Sequence, residues 1–403
     1  METELLDPPT ARRRPSFHSL QVAQVRRLTE DAVEVTFAVP ADLAGHFDYL
    51  PGQYVALRTT LPEADGKAHE VRRSYSICAE PQSFADGSSE IRVAIKKDIG
   101  GLFSTWATSE LSAGDNLDVM SPMGAFVSRH GSRGDAADVN VMNSMNHPEK
   151  LGAKEGRFVA VAAGSGITPV ISIARTLLAA NSSTRFDLVY ANKAAMDVMF
   201  LEELADLKDR YPTRLALHHV LSREQRIAPL MSGRIDAEKL AALLGTAIHS
   251  EDVDEWFLCG PFELVQLCRD TLAGRGVNPE DIRFELFSSG KPDRPEGNSG
   301  RPVVTGEAQE SYTITFKLDG LQGEVKSPIE ARESILNAAL RVRPDVPFAC
   351  AGGVCGTCRA KVVSGTVTMD ENYALEQDEL DKGYVLTCQS HPTSKNVGVD
   401  FDV

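Results

Sequence analysis

Four cysteines near the C-terminal end constrain the fold of this chain more than any other feature. Cys350, Cys355 and Cys358 lie within nine residues, and Cys388 follows thirty residues later, so the spacing is C-x4-C-x2-C…C. That spacing is typical of four thiolates that hold a [2Fe–2S] cluster. Glycines among the first three cysteines permit positive φ angles and let backbone N–H groups approach the sulfide atoms. The sequence therefore predicts an iron–sulfur centre with these four ligands.

Zinc and disulfide bonds are the two alternatives for these thiols. Structural zinc sites favour paired C-x2-C units, whereas only Cys355 and Cys358 form such a short pair here. Disulfides are typical of secreted domains, and the other cysteines, Cys78, Cys259 and Cys268, are widely scattered. This usage favours a reducing compartment, so we expect a cytoplasmic protein with an iron–sulfur cluster.

The length and charge of the chain limit its partners. A chain of 403 residues has room for about two to four domains of ordinary size. Its net charge of −15 argues against binding to the phosphates of nucleic acids. The most apolar run, residues 158–174, is interrupted by two glycines and a proline, so no membrane span is expected. The arginines at 12–14 are not followed by the apolar segment of a secretory signal.

The first part of the chain has the pattern of short strands. Residues 1–14 are rich in proline and arginine and are predicted to be a disordered tail. Between residues 15 and 128, apolar side chains alternate with small or polar ones, as in residues 33–39, and turn residues separate the runs. About six such strands predict an antiparallel β-barrel.

Two elements in this barrel point to a bound flavin nucleotide. Arg73, Tyr75 and Ser76 close one strand and offer a planar cation for phosphate, a flat ring for a flavin and a hydroxyl for a ring nitrogen. Gly101 and Ser104 precede or begin a helix predicted over residues 104–111, and a helix N-terminus attracts a pyrophosphate. On its own, the Arg-x-Tyr-Ser pattern is more often a solvated surface, but the two elements together favour a flavin site.

After a connecting loop at 129–155, residues 156–290 alternate between strands and helices, which predicts a parallel sheet with helical crossovers. A buried strand leads into Gly164 and Gly166, with Thr168 expected as the N-cap and Pro169 as the first residue of a helix over 170–179. This strand, glycine turn and helix form a Rossmann-like dinucleotide site, although the third glycine of G-x-G-x-x-G is missing.

The residues after the second and third strands of this sheet bear on the choice of dinucleotide. An NAD site places an acid after the second strand, whereas an NADP site places cations there. Lys193 follows the second strand, and Ser222 and Arg223 follow the third, a set suited to a 2′-phosphate. Solvated loop charges are the alternative interpretation. The sequence favours NADPH.

The last part of the chain is predicted to be a separate small domain. Residues 291–309 are rich in proline, glycine and charge and are predicted to be a linker. Residues 310–403 contain several strands, one main helix and the four cysteines, a pattern that fits an α+β ferredoxin domain of the β-grasp type. The acidic residues at 376–381 are interpreted as a solvated helix face, with a docking patch as the alternative.

With these motifs in place, residues 16–403 resemble the ferredoxin–NADP⁺ reductase superfamily fused to a C-terminal plant-type ferredoxin. The resemblance implies that Tyr75 stacks on the flavin, that Ser76 bonds near its N5 and that Cys259 borders the nicotinamide. A buried structural thiol is the alternative role for Cys259. The remaining positions implied by the superfamily's motifs are Arg73, Gly101, Ser104 and Phe287 for the flavin and Gly164, Gly166, Thr168, Pro169, Gly260 and Pro261 for the nucleotide.

The resemblance implies a reductase that passes electrons from NADPH through FAD and the [2Fe–2S] cluster to the oxygenase component of a multicomponent monooxygenase. Residues 17–22, 199–204 and 369–389 resemble the reductases of phenylacetyl-CoA epoxidases, which act in phenylacetate degradation, so a non-haem di-iron partner is expected. The alternatives are a reductase for a Rieske-type, steroid or aromatic hydroxylase, NADH-linked or FMN-bearing, and a non-catalytic scaffold whose cysteines bind zinc.

Overall fold

The computed structural model of the chain contains three sheet-based units in sequence order. It describes residues 16–62, 68–98, 101–124, 126–131, 156–248, 252–288, 310–318, 320–343, 346–348, 353, 356–372, 374–375 and 377–402. The predicted tail at 1–14, the predicted linker at 291–309 and most of the predicted loop at 129–155 lie outside the described residues. None of the described helices combines the length and apolarity that crossing a membrane requires.

The first unit is an antiparallel barrel of six strands in the order β4-β3-β6-β1-β2-β5. An antiparallel bridge between Ile77, just after β4, and Val93 of β5 joins the two edges of the sheet. The alternating side chains Val35, Phe37 and Val93 are fully buried in the barrel core, as their period of two predicts. The elements are β1 (Phe17–Thr29), β2 (Ala32–Val39), β3 (Tyr54–Pro62), β4 (Ala68–Ser76), β5 (Ser89–Lys96), α1 (Leu102–Ser109) and β6 (Asn116–Met120).

Helix α1 begins two residues earlier than the sequence predicted and ends two residues earlier. Gly101, in extended conformation, is its N-cap residue. Phe103 is fully buried in the barrel core, so the first turn is fixed by packing before Ser104 is reached. The prediction of a glycine followed directly by a helix N-terminus is confirmed, whereas the predicted bounds were wrong.

The second unit is a five-stranded parallel sheet in the order β11-β10-β7-β8-β9. Its central strand β7 is buried on both faces, because helices cover the two sides of the sheet. The elements are β7 (Arg157–Ala163), α2 (Ile167–Ala180), β8 (Arg185–Asn192), α3 (Leu201–Arg210), β9 (Leu215–Leu221), α4 (Ala237–Ala242), β10 (Glu255–Pro261), α5 (Phe262–Gly274) and β11 (Ile282–Ser288).

The start of α2 differs from the prediction. The helix begins at Ile167 with Gly166 as its N-cap, so Thr168 is not the N-cap and Pro169 is the third helical residue. The Thr168 hydroxyl donates instead to the carbonyl of Ser165, 3.0 Å away. Proline is tolerated at this position because the first four N–H groups of a helix have no partner within it. The helix therefore begins directly after the glycine turn, and not at residue 170 as the sequence predicted.

The third unit is a mixed sheet in the order β13-β12-β18-β14-β16 with a two-stranded sheet, β15-β17, beside it. The parallel pair of β12 and β18 is flanked by antiparallel neighbours, and α6 packs its buried Ile335 and Leu336 on the sheet. The elements are β12 (Ser311–Leu318), β13 (Leu321–Pro328), α6 (Ile335–Leu340), β14 (Arg359–Ser364), β15 (Val367–Met369), α7 (Gln377–Asp381), β16 (Tyr384–Leu386), β17 (Ser390–Pro392) and β18 (Asn396–Asp400). The predicted fold class, an antiparallel barrel, a parallel α/β sheet and an α+β ferredoxin domain, is confirmed.

Candidate active site and cluster-binding segment

The two elements predicted to bind the flavin lie next to each other on the barrel. The ring of Tyr75, on β4, is 5.7 Å from the ring of Phe103, on α1, measured between centroids. Arg73 is partly buried, and its Nη1 donates to the backbone carbonyl of Arg72 at 2.6 Å. Between them, the hydroxyl of Ser74 is buried and has no hydrogen-bond partner among the described residues. Because side chains alternate along a strand, Ser74 lies on the opposite face of β4 from Arg73 and Tyr75, and its hydroxyl is not part of the predicted flavin site. The cation of Arg73 and the flat ring of Tyr75 share one face of the strand, which fits a bound flavin.

The helix predicted to hold the pyrophosphate begins directly after a glycine. Within the described part of the chain no side chain caps α1, and its N-cap residue is Gly101. Ser104 is buried, and its Oγ accepts a hydrogen bond from the backbone N–H of Asp98 at 3.0 Å. That bond fixes the entry into the helix, which is a structural role. A contact between Ser104 and phosphate stays a prediction.

The glycine turn after β7 packs against the end of β10. A Cβ added to Gly166 would lie 2.2 Å from the carbonyl oxygen of Cys259, so only glycine fits. Gly164 has φ +54°, and a Cβ there would meet no atom within 4 Å. The buried Tyr190, on β8, donates from its hydroxyl to the carbonyl of Gly164 at 2.9 Å. The turn therefore packs against the sheet at Gly166, whereas space remains next to Gly164, just before α2. Space at the N-terminus of a helix fits a dinucleotide phosphate.

The Cys-Gly-Pro segment continues this edge of the sheet. Cys259 and Gly260 are the last buried residues of β10, and Pro261 is the N-cap of α5. Gly260 has φ +151°, and a Cβ there would approach the backbone nitrogen of Ala163 to 3.2 Å. Glycine thus lets the ends of β10 and β7 approach closely at the point where the nicotinamide is predicted to bind.

The structure brings Ser76, Cys259 and Glu285 together from two units. Ser76 donates from its hydroxyl to Oε2 of Glu285 at 3.0 Å, although the residues are 209 positions apart. Cys259 and Glu285 are paired in register on the neighbouring parallel strands β10 and β11. Ser76 and Cys259 were predicted from the sequence. Glu285 was missed, although an acid inside the apolar run Phe284 to Phe287 was a usable signal.

The surroundings of Glu285 and Cys259 raise the pKa values of both side chains. Burial raises the pKa of Glu285 to about 7, although the hydrogen bond from Ser76 opposes the shift. Burial, and next the negative charge of Glu285, raise the pKa of Cys259 well above its usual value. Cys259 is therefore a neutral thiol at neutral pH, and Glu285 is the group that can exchange a proton near pH 7.

The cations predicted to bind a 2′-phosphate lie together at the carboxyl edge of the parallel sheet. The backbone N–H of Arg223 donates to the carbonyl of Lys193 at 2.7 Å, which joins the loops after β8 and β9. Lys193, Ser222 and Arg223 are exposed. Two carboxylates occupy the same loops. Asp197 accepts from the N–H of residue 194 at 3.0 Å, and Glu224 accepts from the N–H of residue 195 at 2.6 Å.

Two of the four predicted cluster ligands are described by the structure. Cys358 and Cys388 are both buried in the core of the third unit. Thr387 joins their segments, because its hydroxyl donates to the carbonyl of Cys358 at 2.8 Å. The amide of Gln389 approaches the Sγ of Cys388 at 3.7 Å, a contact of the kind that stabilises a thiolate. Cys350 and Cys355 lie outside the described residues. The two described thiols, Cys358 and Cys388, fit an iron–sulfur cluster.

Two further predictions concern Phe287 and the acidic residues at 376–381. Phe287 lies on β11, but its side chain is outside the part that the structure describes. In the acidic run, Asp378 pairs with Lys382 at 2.8 Å and Glu379 with Arg359 at 3.0 Å. These pairs favour the predicted solvated helix face over a docking patch.

Comparison with known proteins agrees with this arrangement. Residues 160–270 match the oxidoreductase NAD-binding domain family, and residues 318–393 match the 2Fe-2S iron-sulfur cluster binding domain family. The chain is 40% identical over 388 residues to a component of the 1,2-phenylacetyl-CoA epoxidase of Escherichia coli (strain K12), with 96% of this chain and 98% of that one covered. The chain belongs to this family of oxygenase reductases.

Other members of the family serve different oxygenases. The ferredoxin reductase component of 3-ketosteroid-9-alpha-monooxygenase from Rhodococcus rhodochrous is 30% identical over 382 residues, covering 95% of this chain and 96% of that one. The crystal structure of phthalate dioxygenase reductase has the same fold, with a TM-score of 0.53, 21% identity and coverage of 96% and 98%. This oxygenase reductase is an electron-transfer enzyme with an antiparallel barrel, a nucleotide domain and a [2Fe–2S] domain.

Proposed function

We propose that this oxygenase reductase takes electrons from NADPH and delivers them to the oxygenase component of a phenylacetyl-CoA epoxidase, in phenylacetate degradation. The observation that carries the proposal is the 40% identity, over nearly the whole of both chains, to the component of the E. coli epoxidase. The identity to the 3-ketosteroid monooxygenase reductase is 30% over a similar length. We expect the partner to contain a non-haem di-iron centre.

The cofactor proposal assigns each group to one unit. FAD is held by residues 15–128 through Arg73, Tyr75, Ser76 and the N-terminus of α1, which suits a pyrophosphate. The nucleotide is held by residues 156–290, and the cluster by residues 310–403. When bound, these groups supply hydride donation, conversion of an electron pair into single electrons and one-electron delivery.

The chain's own residues set the conditions of the hydride step. Ser76 and Glu285 form a hydrogen bond across the boundary between the flavin barrel and the nucleotide domain. Because the pKa of Glu285 is about 7, its carboxyl can hold a proton at neutral pH and release it without a large free-energy cost. The neutral thiol of Cys259 presents no negative charge where a hydride donor is to bind. We propose that these three residues orient the nicotinamide and keep water from it.

The preference for NADPH follows from the loops after β8 and β9. Lys193 and Arg223 are exposed cations, and both carboxylates of these loops accept hydrogen bonds from the backbone. In this proposal the 2′-phosphate of NADPH is held by these two cations and the Ser222 hydroxyl.

The preference can be tested on the Arg223→Ala variant. We expect KM for NADPH to rise by about tenfold or more, since a hydrogen bond to a charged group contributes about 1.5–3 kcal/mol, while KM for NADH changes less than twofold. The assay follows dye reduction with both nucleotides. Arg185→Ala is the control, because Arg185 is an exposed arginine at the opposite edge of the sheet. Wild-type protein that turns over NADH faster than NADPH would refute the assignment.

The partner is tested by reconstitution. The purified reductase is mixed with the oxygenase component of a phenylacetyl-CoA epoxidase and, in parallel, with a 3-ketosteroid hydroxylase, and product is measured for each substrate. We expect NADPH-dependent epoxide only in the first mixture. Turnover confined to the second would make the steroid-type assignment correct.

We also propose a cytoplasmic location. Cys78, Cys259 and Cys268 are thiols and not disulfides, and all three are buried, which suits a reducing compartment. Fractionation of cells with antibody detection tests this location, and recovery in a periplasmic fraction would contradict it.

A further inference from the structure

The hairpin of β3 and β4 contacts the other two units of the enzyme with a single face. Side chains alternate along a strand, and directly opposite residues of an antiparallel pair share a face. Tyr54 is paired with Ser76, and Arg58 is paired with Arg72. Ser76 contacts Glu285 of the nucleotide domain through the hydrogen bond described above. The remaining residues of this face extend from that contact toward the [2Fe–2S] domain.

The first contact with the [2Fe–2S] domain is a buried hydrogen bond beside a cluster ligand. The hydroxyl of Tyr54 is 2.9 Å from Oγ1 of Thr357, and the two residues are 303 positions apart in sequence. Both side chains are only 4% exposed. Thr357 directly precedes Cys358, so this bond joins the strand partner of Ser76 to the residue next to a predicted ligand of the cluster.

The second contact is a buried arginine. Arg72 is 1% exposed, and its Nη1 donates to the carbonyl of Val346 at 3.3 Å. Its guanidinium carbon lies 5.5 Å from the ring centroid of Phe348 and 5.3 Å from that of Phe17. The guanidinium thus lies against one aromatic ring from each of the two units, in the geometry of a cation–π contact.

We propose that Tyr54 and Arg72 are positioning residues for intramolecular electron transfer. Tyr54 fixes the cluster-binding segment at Thr357, and Arg72 fixes residues 346–348, which precede that segment, so that the [2Fe–2S] domain is docked on the same hairpin face that carries Ser76. With both groups bound, this contact would hold the one-electron donor of the barrel and the one-electron acceptor of the [2Fe–2S] domain in a fixed arrangement, so that the electron lost by the first is gained by the second. The proposal rests on the electron-transfer role of the family and holds for either nucleotide and any oxygenase partner.

The test measures the hydride step and the cluster step separately. Anaerobic stopped-flow absorbance of the holoprotein gives the rate of flavin reduction by NADPH, and rapid-freeze electron paramagnetic resonance gives the rate of cluster reduction. In Tyr54→Phe we expect flavin reduction within twofold of wild type and cluster reduction slowed by about fivefold to tenfold, the change that one lost hydrogen bond produces in a docking equilibrium. The control is Tyr211→Phe, which removes a tyrosine hydroxyl in the nucleotide domain and keeps the ring over which the Arg214 guanidinium lies.

A double-mutant cycle assigns the effect to one bond. Thr357→Val should slow cluster reduction as much as Tyr54→Phe does, and the double variant should be no slower than either, since both changes remove the same interaction. Iron content is measured for each variant to show that the cluster is retained.

Arg72→Met gives a readout that does not depend on turnover. In this variant we expect the [2Fe–2S] domain to be undocked. Small-angle X-ray scattering of the oxidised holoprotein would then give a larger radius of gyration than wild type. A wild-type cluster rate in Tyr54→Phe, or a parallel fall in both steps, would overturn the proposal. An unchanged radius of gyration in Arg72→Met would remove Arg72 from it.

Discussion

Replacement of Glu285 by glutamine tests the partly buried carboxyl between the antiparallel barrel and the nucleotide domain. Its pKa rises from an ordinary 4.5 to about 7, which corresponds to about 3 kcal/mol at 1.36 kcal/mol per unit. Below pH 4.5 the carboxyl is protonated in both the folded and the unfolded chain. Between pH 4.5 and 7 only the unfolded chain loses the proton, so the free energy of unfolding falls as the pH rises, and above 7 the loss is complete.

Glutamine cannot ionise and keeps a similar shape. The advantage of Glu285→Gln over wild type should therefore grow from under about 1 kcal/mol at pH 5 to about 3 kcal/mol at pH 8, since the linkage acts only on wild type. The assay is urea unfolding of holoprotein followed by the fluorescence of Trp256, which is 1% exposed on β10 beside β11. The chain has two tryptophans, so both proteins carry Trp106→Phe.

The control is Glu280→Gln, because Glu280 is exposed just before β11 and removal of an exposed charge changes stability little. A gap between Glu285→Gln and wild type that is constant from pH 5 to 8 would refute the assigned pKa. A gap that shrinks with pH would show that the carboxylate is the form stabilised by the fold.

Two further substitutions test the nucleotide turn and the cluster. Gly166→Ala places a Cβ 2.2 Å from the Cys259 carbonyl oxygen, so we expect a loss of about 1–3 kcal/mol in stability from overpacking and weaker binding in an NADP⁺ titration. Gly274→Ala, where a Cβ meets nothing within 4 Å, should be neutral or slightly stabilising. Cys388→Ser should lose bound iron and the cluster absorbance while NADPH-driven dye reduction persists. Loss of dye reduction as well would contradict the separate assignment of flavin and cluster.

Local sequence patterns predicted most of the fold, because each unit buries the apolar side chains of its own strands and helices. The alternation at residues 33–39 gave β2, and the apolar run after residue 157 gave β7, since burial on one or both faces of a strand produces those patterns. The start of α2 was misplaced because Thr168 and Pro169 are typical of several positions in a first turn, and local preference does not select among them.

The candidate site could be predicted only where its residues form a contiguous motif. Arg73, Tyr75 and Ser76 stand together in the sequence, and three of the four cysteines lie within nine residues, so spacing marked them as candidates. Glu285 belongs to no motif of its own. Its partner Ser76 is 209 residues away, and a single sequence contains no record of which distant side chains meet.

The sequence also did not predict the face of the β3–β4 hairpin that contacts the [2Fe–2S] domain, because its partners are distant in the sequence. Tyr54 and Arg72 look like ordinary strand residues in the sequence, because the contacts that bury them come from a domain about three hundred positions further along the chain. A buried arginine in a barrel strand costs free energy unless its guanidinium is satisfied, and here another domain contributes to that satisfaction. The antiparallel barrel therefore has an outer face that is covered by another domain. In the proposed arrangement, the barrel is the platform on which the electron donor and the electron acceptor are both aligned.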